Sequence, residues 1–427
     1  MATILVDHPH REIPGFLMVE KKTKDISSFY FDHQDLYYPV SDDFDSLFKR
    51  FSKDKDFILT PSFNVKRTPN IALRSKINRL PLIVYHSEQF YNKCFNDEKL
   101  NLSFLDDYLK DVHYHLVWGE YYKRKLLEIG VDANKIYVVG SVKDELAQFK
   151  RASASTAQRK KKYDFLFIAN FVLADYSKEK LEHFRKEFSV GSEWEPADYF
   201  SSSREGMLAL VSRISREYPE KKILIRRHPG ENKSIYESFA LEHSNVSLSQ
   251  DNALIEDVEH SEYSILQDST SIFELESYGA NWISVQFGNG DSEYTGEPKE
   301  LFDLHTQDDF MVRLSLGELH KISGSSVLRD KGADFYVDSN HCAEKVASAL
   351  LEITSKNHRF NYNMRFLKDL SLMLLKFFSS RFAVFLNRIG FNNYLYNRLK
   401  SSENTWKQGD HIINKVNMEH FREITKD

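Results

Sequence analysis

Short apolar runs recur along the chain, separated by longer stretches in which apolar positions return with helical spacing. In the first 150 residues the runs are TILV (3–6), FILT (57–60), LIVY (82–85), HLVW (115–118) and IYVV (136–139). They are brief, rich in branched and aromatic side chains, and mostly bounded by polar or turn residues. That is how a strand buried on both faces reads. Among them GEYYKRKLLEIG (119–130) has a helical period and a glycine at its carboxyl side. The alternation resumes with DFLFIAN (164–170), KILI (222–225), NVSLS (245–249), YSILQD (263–268) and WISVQF (282–287), and predicts helices over 203–217, 233–243 and 271–278. Strands alternating with helices predict parallel α/β sheets.

The two series are divided by KRASASTAQRKKK (150–162), which is small, polar and basic and reads as an exposed linker. The pattern therefore predicts a first domain over 1–150, a linker over 151–162, a second domain over 163–355 and a helical tail over 356–427. Segment 364–400 of the tail is rich in Leu and Phe, punctuated by Arg365, Lys368, Lys376, Arg381, Arg388, Arg398 and Lys400, with Asp369 its one acid. Such a segment suits the surface of an anionic bilayer. It equally suits a closing helix that packs on the body and lets its lysines snorkel.

Composition narrows the function. Of 427 residues, 41% are hydrophobic and 28% charged, enough for real cores in a soluble body. The net charge of −5 gives no basic field for nucleic acid. Two cysteines, Cys94 and Cys342, exclude a disulfide framework and a thiolate zinc site, and favour a reducing, cytoplasmic setting. MATILVDHPHREI does not read as a signal peptide, and no window has the run of about 18 apolar residues a spanning helix needs. The acid pairs at 42–43 and 106–107 read as solvated, so no metal is expected.

Two stretches carry candidate chemistry. In KKILIRRHPGEN (221–232) a strand ends in Arg226, Arg227 and His228, then breaks at Pro229-Gly230 before a helix. Cations at a strand's carboxyl end, followed by a helix start, suit an anionic ligand, although solvated turn charges look the same. In LQDSTSIFELESYGA (266–280) a strand leads through Ser269, Thr270 and Ser271 into a helix with Glu274 one turn in. Its hydroxyls and amides suit a phosphate and Glu274 a ribose diol; the same residues also spell a capping box from Ser271 to Glu274. Carboxylates that follow strands in the first domain, Asp7, Glu88 (beside His86) and Asp144, are candidates for acid–base or nucleophilic work; turn or capping acids would look alike.

RRHPGEN followed by QDSTSIFE resembles the nucleotide-binding signatures of GT-B glycosyltransferases of bacterial surface carbohydrate synthesis. ILVDHPHREIPGFLMVEKKTK, VYHSEQF (84–90), VVGSVKDE (138–145) and FLFIANFVLADYS (165–177) resemble other segments of that family, in order over roughly 1–290. Related signatures occur in transferases using CMP-activated sialic acids or Kdo, and in CDP-glycerol phosphotransferases. Arg227 and Val142 stand where the pattern has proline. The resemblance implies a GT-B fold, two Rossmann-like domains facing a cleft, with the basic-aromatic helical tail appended. It places a nucleotide at Arg226, His228, Pro229, Ser269, Thr270, Ser271 and Glu274, and substrate at Arg11, Glu12 and His86. Asp144 is then expected as nucleophile and Glu88 as the proton-transfer group. The implied activity moves a CMP-activated 2-keto acid sugar, Kdo or a nonulosonic acid, onto a growing lipid-linked or oligosaccharide glycan of capsule or lipopolysaccharide, with no cofactor beyond the donor. The protein would work in the cytoplasm, at the inner face of the membrane if the tail binds it. A CDP-glycerol or CDP-ribitol phosphotransferase, and a non-catalytic nucleotide-sugar-binding assembly protein, are the alternatives.

Overall fold

A computed structural model describes residues 2–7, 19, 22–23, 25–31, 56–60, 68–86, 111–153, 161–182, 196–250, 254–288, 301–324, 328, 334–335, 341–360, 362, 364, 366–368 and 370–371. The first sheet contains β1 (Ala2–Asp7), β2 (Ile26–Phe31), β3 (Phe57–Thr60), β4 (Leu82–Tyr85), β5 (Tyr114–Val117) and β6 (Ile136–Val138), in the order β2-β1-β3-β4-β5-β6. Every pairing in it is parallel. Helix α1 (Thr68–Asn78) lies between β3 and β4, α2 (Glu120–Glu128) between β5 and β6, and α3 (Val142–Ser153) follows β6. The residues of β3, β4 and β5 are all buried, which is why they read as unbroken apolar runs. β2 escapes that reading because Ser27 and Ser28 interrupt it; it is an edge strand, held by β1 alone. Helix α3 carries regular structure to Ser153, three residues into the segment read as linker.

The second sheet contains β7 (Tyr163–Ile168), β8 (Ile223–Arg226), β9 (Val246–Leu248), β10 (Ser261–Leu266), β11 (Asn281–Gln286) and β12 (His305–Thr306), in the order β12-β11-β10-β7-β8-β9. It too is parallel throughout. Its helices are α4 (Pro196–Glu217), α5 (Lys233–Leu241), α6 (Leu254–Glu259), α7 (Ser271–Tyr278) and α8 (Gln307–Ser315). The chain runs from β7 outward to β9, then returns to the other side of β7 and runs outward again. β7 and β10 therefore flank the point where strand order reverses, beside whose carboxyl ends open α/β sheets bind their ligands.

An apolar cluster joins the domains. Tyr121, Tyr122 and Leu126 of α2 share it with Ile272, Phe273 and Leu275 of α7 and with Phe335. Trp118 meets Phe273 edge to face at 6.4 Å. Helices α3 and α7 pack against each other, so the loops after β6 and β10 face one another.

Helix α9 (Cys342–Thr354) follows the second domain in sequence but packs on the first sheet. Its buried residues, among them Val346, Ala347, Leu350 and Ile353, recur at helical spacing. They cover Phe57 and Leu59 of β3, Ile83 and Tyr85 of β4, and Tyr114 and Leu116 of β5. Those positions alternate along their strands and so lie on one face. Glu145 of α3 reaches across to accept the Ala343 N–H at 2.6 Å, giving the start of α9 a carboxylate where the helix dipole favours one. Burial raises the Glu145 carboxyl above its ordinary range, and that N–H opposes the shift. The chain then stays on the first domain. Lys356 Nζ bonds the Tyr137 hydroxyl at 2.6 Å, Phe360 packs on His113, and the Tyr362 hydroxyl donates to Lys76 O at 3.1 Å. Residues 372–427, with most of the expected tail, lie outside the described residues. Among the described residues no helix is long and apolar enough to cross a membrane.

Removing the Leu350 side chain tests which domain α9 completes. Leu350→Ala is expected to cost about 2–5 kcal/mol of unfolding free energy. Hydrogen exchange should quicken first in β3, β4 and β5; loosening confined to the second sheet would contradict this packing.

Candidate functional site

The turn after β8 is built to present one imidazole. Arg226 is anchored by Asp257, Nη1 to Oδ2 at 2.7 Å, and Asp257 also accepts the Ser249 hydroxyl at 2.6 Å. Arg227 wraps the turn, donating to the carbonyls of His228, Pro229 and Glu231 at 3.2, 3.1 and 3.4 Å. His228 Nδ1 accepts the Gly230 N–H at 3.1 Å. In the neutral ring the proton therefore sits on Nε2, which becomes a donor. A Cβ at position 230 would be crowded, 3.3 Å from His228 Nδ1 and 3.1 Å from Val172 Cγ1.

Glu231 points the other way, into the domain, where it accepts the Phe171 N–H and the Tyr236 hydroxyl. Burial raises its carboxyl; those two bonds hold it down in part. Asn232 caps α5 by accepting the Ser234 N–H at 3.1 Å. The His-Pro-Gly-Glu-Asn stretch thus divides its labour: the histidine accepts a bond within the turn, the glutamate pins the loop after β7, and the asparagine starts a helix.

The turn after β10 sits at the reversal point. Asp268 holds a left-handed backbone at φ +43°, uncommon for a residue with a side chain. The Tyr199 hydroxyl donates to Asp268 Oδ2 at 2.7 Å. Gln267 Nε2 meets the Tyr199 hydroxyl at 2.7 Å and Ser203 Oγ at 3.1 Å, while its Oε1 accepts the Phe287 N–H at 2.6 Å. This network fixes the turn from which α7 departs. Ser269 Oγ accepts the Ser271 N–H at 3.3 Å. The N-cap is Thr270, whose side chain makes no capping bond. The capping box from Ser271 to Glu274 is therefore not formed; the helix starts one residue earlier than that box requires, and Glu274 is engaged elsewhere.

Its partner comes from the other domain. Lys143, on the first turn of α3, reaches Glu274 Oε2 at 2.5 Å. The start of α3 is pinned by Tyr85, whose hydroxyl accepts the Val142 N–H at 3.0 Å and donates to Gly140 O at 3.4 Å. Beside Lys143, Asp144 is 2% exposed, and its Oδ2 has no hydrogen-bond partner among the described residues. Burial pushes its carboxyl from 3.8 up to about 7; Glu274 adds to the rise, Lys143 and Ser141 oppose it. A buried carboxyl balanced near neutrality is suited to moving a proton.

Of the other first-domain candidates, Asp7 is described by its backbone alone, at the carboxyl end of β1, and His86 by its side chain. His86 is 2% exposed and stacked on His115, with Nε2 to Nδ1 at 3.1 Å. Burial lowers both imidazoles, His115 to about 3, so the pair is neutral and packed within the domain. Arg11, Glu12 and Glu88 lie outside the described residues. Among the described residues no group of three metal-ligating side chains is assembled. Glu231, Gln267 and Tyr85 lie inside RRHPGEN, QDSTSIFE and VYHSEQF, but those segments do not tell which side chains pin the turns; Tyr199 lies in no such segment and stands 69 residues before the aspartate it holds.

Asp144 makes stability depend on pH in a definite direction. Its folded pKa is raised, so the folded state holds a proton that the unfolded state gives up earlier. The stability it contributes is present below about pH 4 and lost as pH rises through about 7. The melting temperature of Asp144→Asn is therefore expected to gain on the wild type across that window. A constant difference between pH 4 and pH 8 would place Asp144 in solvent.

No family model and no curated protein matches the chain. Solved structures do match. A UDP-GlcNAc 2-epimerase from Neisseria meningitidis, bound to UDP-GlcNAc, has a TM-score of 0.56 at 12% identity, over 82% of this chain and 100% of its own. S. aureus MnaA with UDP has a TM-score of 0.54 at 12% identity, over 85% and 100%. The wall teichoic acid polymerase TagF, soaked with CDPG, has a TM-score of 0.52 at 10% identity, over 83% and 88%. Likeness at such identity speaks for architecture, and with the two parallel sheets facing across a cleft it gives this chain a GT-B fold.

Proposed function

We propose that this protein is a glycosyltransferase of bacterial surface carbohydrate synthesis, using a nucleotide-activated sugar held by the second domain. The observation that carries the reading is the convergence on one rim of His228, after β8, and the Ser269-Thr270-Ser271 turn, after β10, on either side of β7. These are donors for a phosphate at the reversal point of the sheet. The ligands named with the similar structures, UDP-GlcNAc, UDP and CDPG, are all pyrimidine nucleotides. Within that class the sequence resemblance favours a CMP-activated 2-keto acid sugar and a lipid-linked glycan acceptor.

In the reaction an acceptor hydroxyl attacks the anomeric carbon. The new C–O bond forms as the bond to the nucleotide phosphate breaks, and the hydroxyl proton passes to a carboxylate. His228 Nε2–H and the α7 turn stabilise charge on the departing phosphate. No metal or cofactor is invoked. Asp144 is the proton acceptor in view: a carboxyl raised to about 7 suits proton transfer better than the nucleophilic role read for it from the sequence. Glu88 remains a second candidate. A CDP-alditol phosphotransferase is the alternative, favoured by the likeness to TagF.

Calorimetry and product assays separate these readings. His228→Ala is expected to weaken CMP or UDP binding by about tenfold at unchanged melting temperature. Asp144→Asn is expected to keep nucleotide affinity while turnover falls by about a hundredfold. Product from CMP-activated acidic sugars supports the preferred donor; product from UDP-sugars or CDP-glycerol alone replaces it. Unchanged affinity in the histidine variant sinks the phosphate assignment.

The tail is proposed as a membrane-surface element, on the sequence of 364–400 alone. Truncation after Asn363 is expected to abolish co-sedimentation with anionic vesicles. A truncated protein that still sediments, or that no longer folds, gives the segment a structural role.

A further inference from the structure

The one ion pair described between α3 and α7 joins unequal partners. The Lys143 side chain is 63% exposed, whereas Glu274 is 13% exposed. Glu274 is thus a largely enclosed carboxylate on the nucleotide-binding domain, covered from the solvent side by a flexible cation of the opposite domain. The ammonium is the solvent-exposed member, so it can leave the carboxylate for another anion without first being taken out of water. This inference rests on the proposed function and on the role the sequence resemblance gives Glu274, acceptor for the ribose hydroxyls. A ribose diol that donates to both oxygens of that carboxylate takes the Oε2 position where the ammonium now sits. Binding in that mode displaces Lys143, and the displaced ammonium stays on the first turn of α3, next to Asp144 and facing the start of α7. Donor anions arrive at that place, because His228 and the Ser269-Thr270-Ser271 turn hold the phosphate on the same rim.

We propose that Lys143 is a specificity-determining residue that exchanges partners: it covers Glu274 in the empty site and reads an anionic group of the donor, phosphate or sugar carboxylate, in the filled one. Lys143→Met keeps the stem and removes the charge. The exchange gives ligands with and without the anion opposite responses, which a fixed clamp does not.

Dissociation constants of the full-length protein are measured for cytidine and uridine, for CMP and UMP, and for CMP-N-acetylneuraminic acid, with melting temperature as the check on folding. The nucleosides, which break the pair without replacing it, are expected to bind Lys143→Met about threefold more tightly than wild type. If phosphate is read, CMP or UMP binds the variant about tenfold more weakly. If the sugar carboxylate is read, the mononucleotides tighten with the nucleosides and only the intact sugar nucleotide weakens. Either pattern supports the exchange and names its anion. Glu274→Gln, which keeps the shape of the ribose acceptor without its charge, should remove the opposite responses when combined with Lys143→Met. Ligands that all tighten, all weaken or all stay unchanged in Lys143→Met overturn the exchange and leave the nucleotide site standing. A wild type that binds none of them overturns the function reading itself.

Discussion

A parallel strand can be added to a sheet only if the chain first travels back to the strand's starting end. That constraint shapes both halves of this protein. Each return is a crossover, and it leaves every strand's carboxyl end on one rim. Six parallel strands in each half give two such rims, and the packing of α3 against α7 turns them toward each other. The chemistry then needs no long-range design beyond good turns. Residues distant in sequence, such as His228, Ser269 and Asp144, are placed by the strands they follow.

The turns are stiffened by buried polar groups with assigned partners. Glu231 holds Phe171 and Tyr236; Tyr199 and Gln267 hold the strained Asp268; Tyr85 holds the start of α3. Such networks are costly if incomplete and rigid when satisfied. Asp144 differs: its Oδ2 has no partner among the described residues, and burial raises its carboxyl, with Glu274 adding to the rise.

The sequence made much of this legible, for physical reasons. Strands buried on both faces cannot hide, so FILT and LIVY mark β3 and β4 to the residue. The helix over 271–278 is framed by its serines and by Gly279, which closes it in the left-handed region at φ +71°. β2 was illegible because its serines break the apolar run, and α9 because helical periodicity says nothing of which sheet a helix will cover. The same limit applied to side chains. Arg226 and His86 had the right chemistry in the right place in sequence, yet Arg226 is anchored to Asp257 and His86 stacks inside the domain. Direction and partner are tertiary properties. Lys143 carries no distinct signal beside Asp144; its pairing depends on α7 standing opposite it.

Helix α9 also ties the fold to the direction of synthesis. The face of the first sheet formed by Phe57, Leu59, Ile83, Tyr85, Tyr114 and Leu116 is covered by residues 342–353. A chain that leaves the ribosome amino end first exposes that face while the whole second domain is being made. The second domain can close on its own core, so the half made first is completed last. An apolar sheet held open for nearly two hundred residues of translation is a ready binding surface for a chaperone and a ready site for misassembly. The crossing that welds the two halves together is also the step at which an unfinished molecule is most exposed.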